Sequence, residues 1–298
     1  MRNFIRLAKN VVFASLLFFN STAQSQDANT NLWAYDSIHI PEVVRKSSAI
    51  HPVVVAVVDD AFRLSHKEIK DFIHTNPMEI PDNQLDDDSN GYIDDAVGWD
   101  ISDHDSDVSV PKGREMEFYH GTYISSIITK VASLHYGESA SKRIKIMPVK
   151  VLPDRANNTY LKDGYKGIKY AIDNGADIIC LAWSGGNPGP EDLKIIEEAH
   201  QKGILIVSSA GNFNHEKIMY PALSPKVLTV GGINMDFQKE ANSNFGDRID
   251  ISAPAINVMG AHPEKDNAYI HDSGTSASAA LVSGCAAILM SKKAGLNN

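Results

Sequence analysis

The sequence predicts one α/β domain built on a mostly parallel central sheet with helices on both faces. Short apolar runs rich in β-branched residues recur along the chain, and amphipathic helical patterns lie between several of them. The runs are continuous rather than alternating, which is the pattern of strands buried on both faces. The 298 residues are 43% hydrophobic and 22% charged, enough apolar material for a sizeable core. With no internal repeat and no Pro- or Ser-rich linker, a single domain is the simplest account.

In chain order, the first segment lies outside that domain. Arg2, Arg6 and Lys9 precede the low-polarity run Val11 to Phe19, and Ser21-Thr22-Ala23 offers small residues for cleavage after Ala23. This predicts a signal peptide over 1–23, an N-terminal segment over 24–49 and the folded domain over 50–298. A bilayer needs about 20 apolar residues, so the run is too short to be an anchor. No membrane association is expected after cleavage, and the protein is expected to be secreted or periplasmic. Cleavage removes three positive charges from a formal net charge of −9 and leaves −12. That sign argues against a nucleic-acid partner.

Strands are expected at Val53–Val58, Ile144–Val151, Asp177–Ala182, Ile204–Ser208 and Val227–Val230. Helices are expected at Tyr123–Ser133, Asp163–Asn174, Glu191–Lys202 and along the Ala-rich stretch around Cys285. Cys180 lies in a buried-strand pattern. The two cysteines read either as buried small hydrophobes or as a disulfide formed in an oxidising compartment.

In open parallel sheets ligands bind beyond the carboxyl ends of the strands, so the residues after each apolar run carry the most information. Asp59-Asp60-Ala61 follows the first run, and Ser208-Ser209-Ala210-Gly211-Asn212 follows the fourth. Two helices open on His120-Gly121-Thr122 and Gly274-Thr275-Ser276. Singly, each has a bland reading as a turn or cap residue. Together they supply an acid, a base, a nucleophile and an amide donor at four loop positions of one sheet.

These segments resemble those of the subtilisin-like serine peptidases, the subtilases, from about Ile50 to Ser291. The order is Asp, then His, then Ser. Val55 to Asp59 matches the strand that delivers the Asp, and Ser65-His66 matches a structural His motif. Val282-Ser283-Gly284, Tyr220-Pro221-Ala222 and Ala253-Pro254 are further landmarks. The resemblance implies a single-domain subtilisin-like fold and a serine endopeptidase, expected to be a monomer, acting on protein or peptide substrates. It makes Asp59, His120 and Ser276 a catalytic triad and Asn212 the oxyanion donor. It also assigns substrate binding to Ala182, Trp183 and Ser184 and to Ser209, Ala210 and Gly211.

Several positions depart from the family pattern. Asp60-Ala61 stands where Thr-Gly or Ser-Gly is usual, although the kexin branch also has a second Asp. Tyr123 replaces the usual His, Ala280 the usual Pro, and Ser184 a Gly beside the S1 pocket. Only 22 residues follow Ser276, and about 28 separate Ala23 from the first strand. Family terminal helices and a folding propeptide are therefore expected to be missing. These departures define a competing expectation, a catalytically impaired homologue that binds peptides.

The stretch from Asp82 to Asp107 holds ten Asp and no Lys or Arg. Asp86, Asp88 and Asn90 alternate before Gly91, like the first half of a calcium loop, although Val97 stands where that loop ends in Glu. The expected ligands are Asp86, Asp88, Asn90 and Asp94, holding a structural calcium that takes no part in catalysis. A solvated acidic loop is the alternative.

Overall fold

The computed structural model describes residues 32–38 and 52–292. The expected signal peptide over 1–23 lies outside them. The chain order is α1 (Trp33–Asp36), β1 (Val53–Asp59), β2 (Trp99–Asp100), α2 (His120–Tyr136), β3 (Ile144–Lys150), α3 (Gly164–Asp173) and β4 (Ile178–Leu181). There follow α4 (Pro190–Gln201), β5 (Leu205–Ser209), β6 (Leu228–Ile233), β7 (Ile251–Pro254), β8 (Val258–His262), β9 (Ala268–Asp272) and α5 (Thr275–Met290).

Seven strands form one sheet in the order β2-β3-β1-β4-β5-β6-β7, and every pairing in it is parallel. The five expected strands and four expected helices are all present, with the ends that had been assigned moved by up to three residues. Three strands were not expected along this sheet's end of the chain: β7 and the antiparallel pair β8–β9. The two-residue β2 was also unanticipated, being too short to give an apolar run, whereas β7 (Ile251-Ser252-Ala253-Pro254) is half exposed and gives none.

β1 explains why the runs are continuous. All seven of its residues are buried, yet successive side chains leave opposite faces. Val53, Val55 and Val57 join the core under α2 and α5, with Ile124, Ile127 and Leu281. Val54, Ala56 and Val58 join the core under α3 and α4, with Ile168, Ile172 and Ile196. A strand sandwiched in this way has no polar face. The same period carries Asp59 to the α2 side.

The chain leaves β1 toward β3 on one side and returns to β4 on the other, so strand order reverses at β1. The carboxyl end of β1 is therefore the topological switch point, where an open sheet leaves a crevice. α5 runs through the core as a helix that is apolar nearly all round, consistent with its burial.

Both cysteines are free thiols, Cys180 buried in β4 and Cys285 partly buried in α5. Burial pushes the Cys180 thiol up to about 12 and the Cys285 thiol up to about 11. The disulfide reading is not borne out: the two residues serve as packing.

One buried charge was not visible in the sequence. Lys150, at the end of β3, is 1% exposed, and its Nζ lies 2.8 Å from the equally buried Asp100 Oδ2 of β2. It also meets Asp154. Removing one member of a buried pair strands the other charge, at a cost of about 3–5 kcal/mol. Lys150→Met is expected to lose about that much in denaturant unfolding, and Asp100→Asn added to it is expected to recover part of the loss.

Candidate active site

Asp59 ends β1 on the α2 face, and α2 begins at His120. The two side chains meet: His120 Nδ1 lies 2.9 Å from both Asp59 Oδ1 and Oδ2. The Asp59 side chain is 2% exposed and the imidazole 26%, so the carboxylate is buried while the ring opens outward. Gly121 allows this approach. A Cβ there would sit 2.5 Å from the Ala61 carbonyl oxygen and 3.2 Å from Asp59 Cβ.

Burial pulls the His120 ring down, but the charge and hydrogen bond of Asp59 and the charges of Asp60 and Asp272 outweigh it. The ring is pushed up to about 9. Asp60 turns its carboxylate to the start of α2, accepting from the backbone N–H groups of His120 at 3.0 Å and Gly121 at 2.7 Å.

Ser276 lies in the first turn of α5, after Gly274-Thr275. Its hydroxyl donates to the Ala182 carbonyl at 2.6 Å rather than to His120. Asn212 follows β5. Its Oδ1 accepts from the Thr275 N–H and the Thr275 hydroxyl, both at 2.9 Å, which leaves its amide N–H groups as the outward donors. Gly211 has φ +98°, and a Cβ there would meet the Asn244 side chain at 2.6 Å, so the turn that presents Asn212 has no room for another residue.

The structure distributes the other expected contact residues unevenly. Ala182 is buried and contributes its carbonyl. Trp183 donates its indole N–H to the Val58 carbonyl at 2.8 Å and packs over Gly164, so its side chain is committed to the fold. Ser184 is partly exposed, with its Oγ 3.2 Å from where a Gly211 Cβ would lie. Ser209 and Ala210 are buried and support Asn212 from below: the Ala210 carbonyl accepts from the Asn244 amide at 2.9 Å. The unusual Tyr123 is also structural. It is buried, donates to the Val258 carbonyl at 2.9 Å, and lies where a Gly260 Cβ would come within 2.3 Å of its ring.

The acidic loop forms a separate centre. Glu79, Asp86 and Asp88 bring carboxylate oxygens within 4.8 Å of one another. Glu79 Oε1 accepts from the N–H groups of Asp87 and Asp88, while its Oε2 is buried without a partner. Burial pushes this carboxyl up. Sequence spacing missed Glu79, which precedes the loop motif by seven residues and reaches it only through the fold. Asp94 accepts from the N–H groups of Asn83 and Gln84, and the Asn90 amide donates to Asp88, Asp95 and Asn174. Asp94 does not belong to the convergent cluster of carboxylates. An orphaned buried carboxylate oxygen facing two further carboxylates fits a hard cation with oxygen ligands.

A family model described as the subtilase family matches residues 51–298. A thermostable alkaline protease of Halalkalibacterium halodurans is 31% identical over 60% of this chain and 49% of its own length. The major intracellular serine protease of Bacillus subtilis is 28% identical over 93% of this chain and 80% of its own. The crystal structure of a cold-adapted subtilisin-like serine proteinase shares the fold, with a TM-score of 0.64 and 21% identity over 89% of this chain and 87% of that one. The chain thus spans about half the length of the alkaline protease that it matches.

The imidazole of His120 is expected to titrate on the alkaline side of its ordinary range, toward about 9, when followed by NMR. Asp59→Asn removes the largest raising influence and leaves burial in place, so its midpoint is expected to fall below the ordinary value of about 6.5.

Proposed function

The chain belongs to the subtilase family of serine peptidases, and on that premise we propose that it is a secreted endopeptidase using Asp59, His120 and Ser276, with Asn212 as oxyanion donor. The observation that carries this reading is the two-oxygen contact between Asp59 and His120 at the switch point of the sheet. The substrates are proteins or peptides. Relatives named as proteases do not favour the impaired-homologue alternative.

A serine hydroxyl is a weak nucleophile until a base takes its proton. Rotation about the Ser276 side chain exchanges the Ala182 carbonyl for the imidazole Nε2. As Oγ bonds to the substrate carbonyl carbon, Nε2 takes the hydroxyl proton and Asp59 stabilises the imidazolium through Nδ1–H. Charge then develops on the substrate oxygen, where the Asn212 amide and the Ser276 N–H donate, aided by the positive end of α5. The proton passes to the leaving amine as the C–N bond breaks. Water repeats the cycle on the acyl-enzyme.

The base must be neutral to act, and its ring is held above its ordinary value. Activity is therefore expected to rise with pH through the neutral range into the alkaline one. A fluorophosphonate probe is expected to label Ser276, and Ser276→Ala to abolish both labelling and cleavage. Asn212→Ala is expected to lower turnover about 10²–10³-fold, the magnitude such a donor carries in subtilisin. Folded wild-type protein that takes no label and cleaves nothing overturns the reading.

The acidic loop holds a structural calcium through Glu79, Asp86 and Asp88. Asn90 binds Asn174, and Asp95 accepts from the Tyr170 hydroxyl at 2.8 Å, so the loop is tied to the C-terminal end of α3. That end lies toward the amino ends of the strands, away from Ser276. A cation bound only by the native state stabilises it by about 2.7 kcal/mol at a hundred times Kd. Excess calcium is expected to raise the melting temperature of wild type over that in EDTA. The difference is expected to vanish in Glu79→Gln and in Asp86→Ala/Asp88→Ala, and equal wild-type values in calcium and EDTA overturn the metal.

A further inference from the structure

Asp60 has no place in the triad, yet its carboxylate is spent entirely on the residues that carry it. It is 6% exposed. Oδ1 accepts from the Gly121 N–H at 2.7 Å and the Ala61 N–H at 2.6 Å, and Oδ2 accepts from the His120 N–H at 3.0 Å. The first N–H groups of a helix have no acceptor within it. α2 has 17 residues, and the residue before it, Tyr119, offers no capping side chain. The acceptor comes instead from the end of β1, across 60 residues of chain.

We propose that Asp60 is a positioning residue for proton transfer at His120, clamping the first turn of α2 to the end of β1 and adding a second negative charge facing the imidazolium. This rests on the triad reading above and assigns Asp60 a role within it. The clamp and the triad share one short path. Asp60 N–H donates to Asp59 Oδ1 at 2.8 Å, so the residue that holds the His120 backbone is bonded to the residue that holds its ring. Gly121 leaves no slack, because a Cβ there would strike the Ala61 carbonyl oxygen.

The charges around Asp60 are few. Asp59 faces it from β1, His120 and Tyr119 from α2, and Asp272 lies beyond at the end of β9, accepting from the Tyr119 hydroxyl at 2.6 Å. Arg63, three residues on, sends its guanidinium to Asp266 and the Pro263 carbonyl instead. Burial and the charge of Asp59 push the Asp60 carboxyl up, while His120 and the two helix N–H groups pull it down. Burial and Asp59 prevail and hold the carboxyl near about 7, so it is ionised above that pH, where His120 still keeps its proton, and its charge is one of those that raise His120.

The test compares wild type with Asp60→Asn, which keeps the shape without the charge, and Asp60→Ser, which keeps an acceptor for one N–H. The His120 ring is titrated by NMR, and kcat and KM are measured against pH on a peptide substrate. In both variants the ring midpoint and the acid limb of kcat are expected to move down by about one pH unit. The alkaline plateau of kcat is expected to fall about tenfold, with KM near that of wild type. A lower melting temperature with an unmoved midpoint and an unchanged plateau makes Asp60 a structural cap and overturns the proposal. So does a rise in KM at constant kcat, which marks a substrate contact. The ring titration is read on folded protein whether or not peptides are cleaved. Lack of wild-type turnover therefore counts against the serine-peptidase reading alone, and an unmoved midpoint counts against Asp60.

Discussion

Asp59 closes a strand that is buried on both faces, and a carboxylate placed there has to be compensated or it costs several kcal/mol. The compensation is the His120 imidazole, 2.9 Å away on both oxygens, and much of the surrounding architecture serves that contact. α2 starts at His120 itself, so the ring is set by a helix terminus rather than by a free loop. Gly121 lets that terminus approach the β1 end. Tyr123, one turn on, is locked against β8 and fixes the rotation of α2 about its axis.

The Ser276 side is organised on the same plan with different parts. α5 is held from the sheet by buried contacts along most of its length, and its first turn is pinned to Asn212 through the N–H and hydroxyl of Thr275. One amide therefore does two things: its oxygen orders the turn bearing Ser276, and its N–H groups are left facing outward. The Ser276 hydroxyl rests on Ala182, within the segment that follows β4. Asp59 and His120 come from one side of the switch point, Ser276 and Asn212 from the other.

Much of this was legible in the sequence because short continuous apolar runs rich in β-branched residues mark strands covered on both faces, and the residues just beyond them stood out as Asp59, Asn212 and the helix openings at His120 and Ser276. What was not legible depends on distance through space. Glu79 joins Asp86 and Asp88 only after the chain has turned, and Asp94, correctly spaced on paper, spends its oxygens on backbone N–H groups. The Trp183 indole likewise finds its acceptor far off in sequence, in the Val58 carbonyl. β2 escaped because two residues form no recognisable period, and β7 because Ile251-Ser252-Ala253-Pro254 is half exposed and gives no apolar run.

Three buried aspartates sit at this end of the sheet, and each is satisfied by a different kind of group. Asp100, Lys150 and Asp59 are neighbours in one register row across β2, β3 and β1. Asp100 takes the Lys150 ammonium, Asp59 takes the imidazole, and Asp60 takes backbone N–H groups. The division has a chemical consequence. An ammonium holds its proton throughout the working range and a backbone amide never yields one. Of the three compensating groups, the imidazole alone takes up and gives back a proton under ordinary conditions.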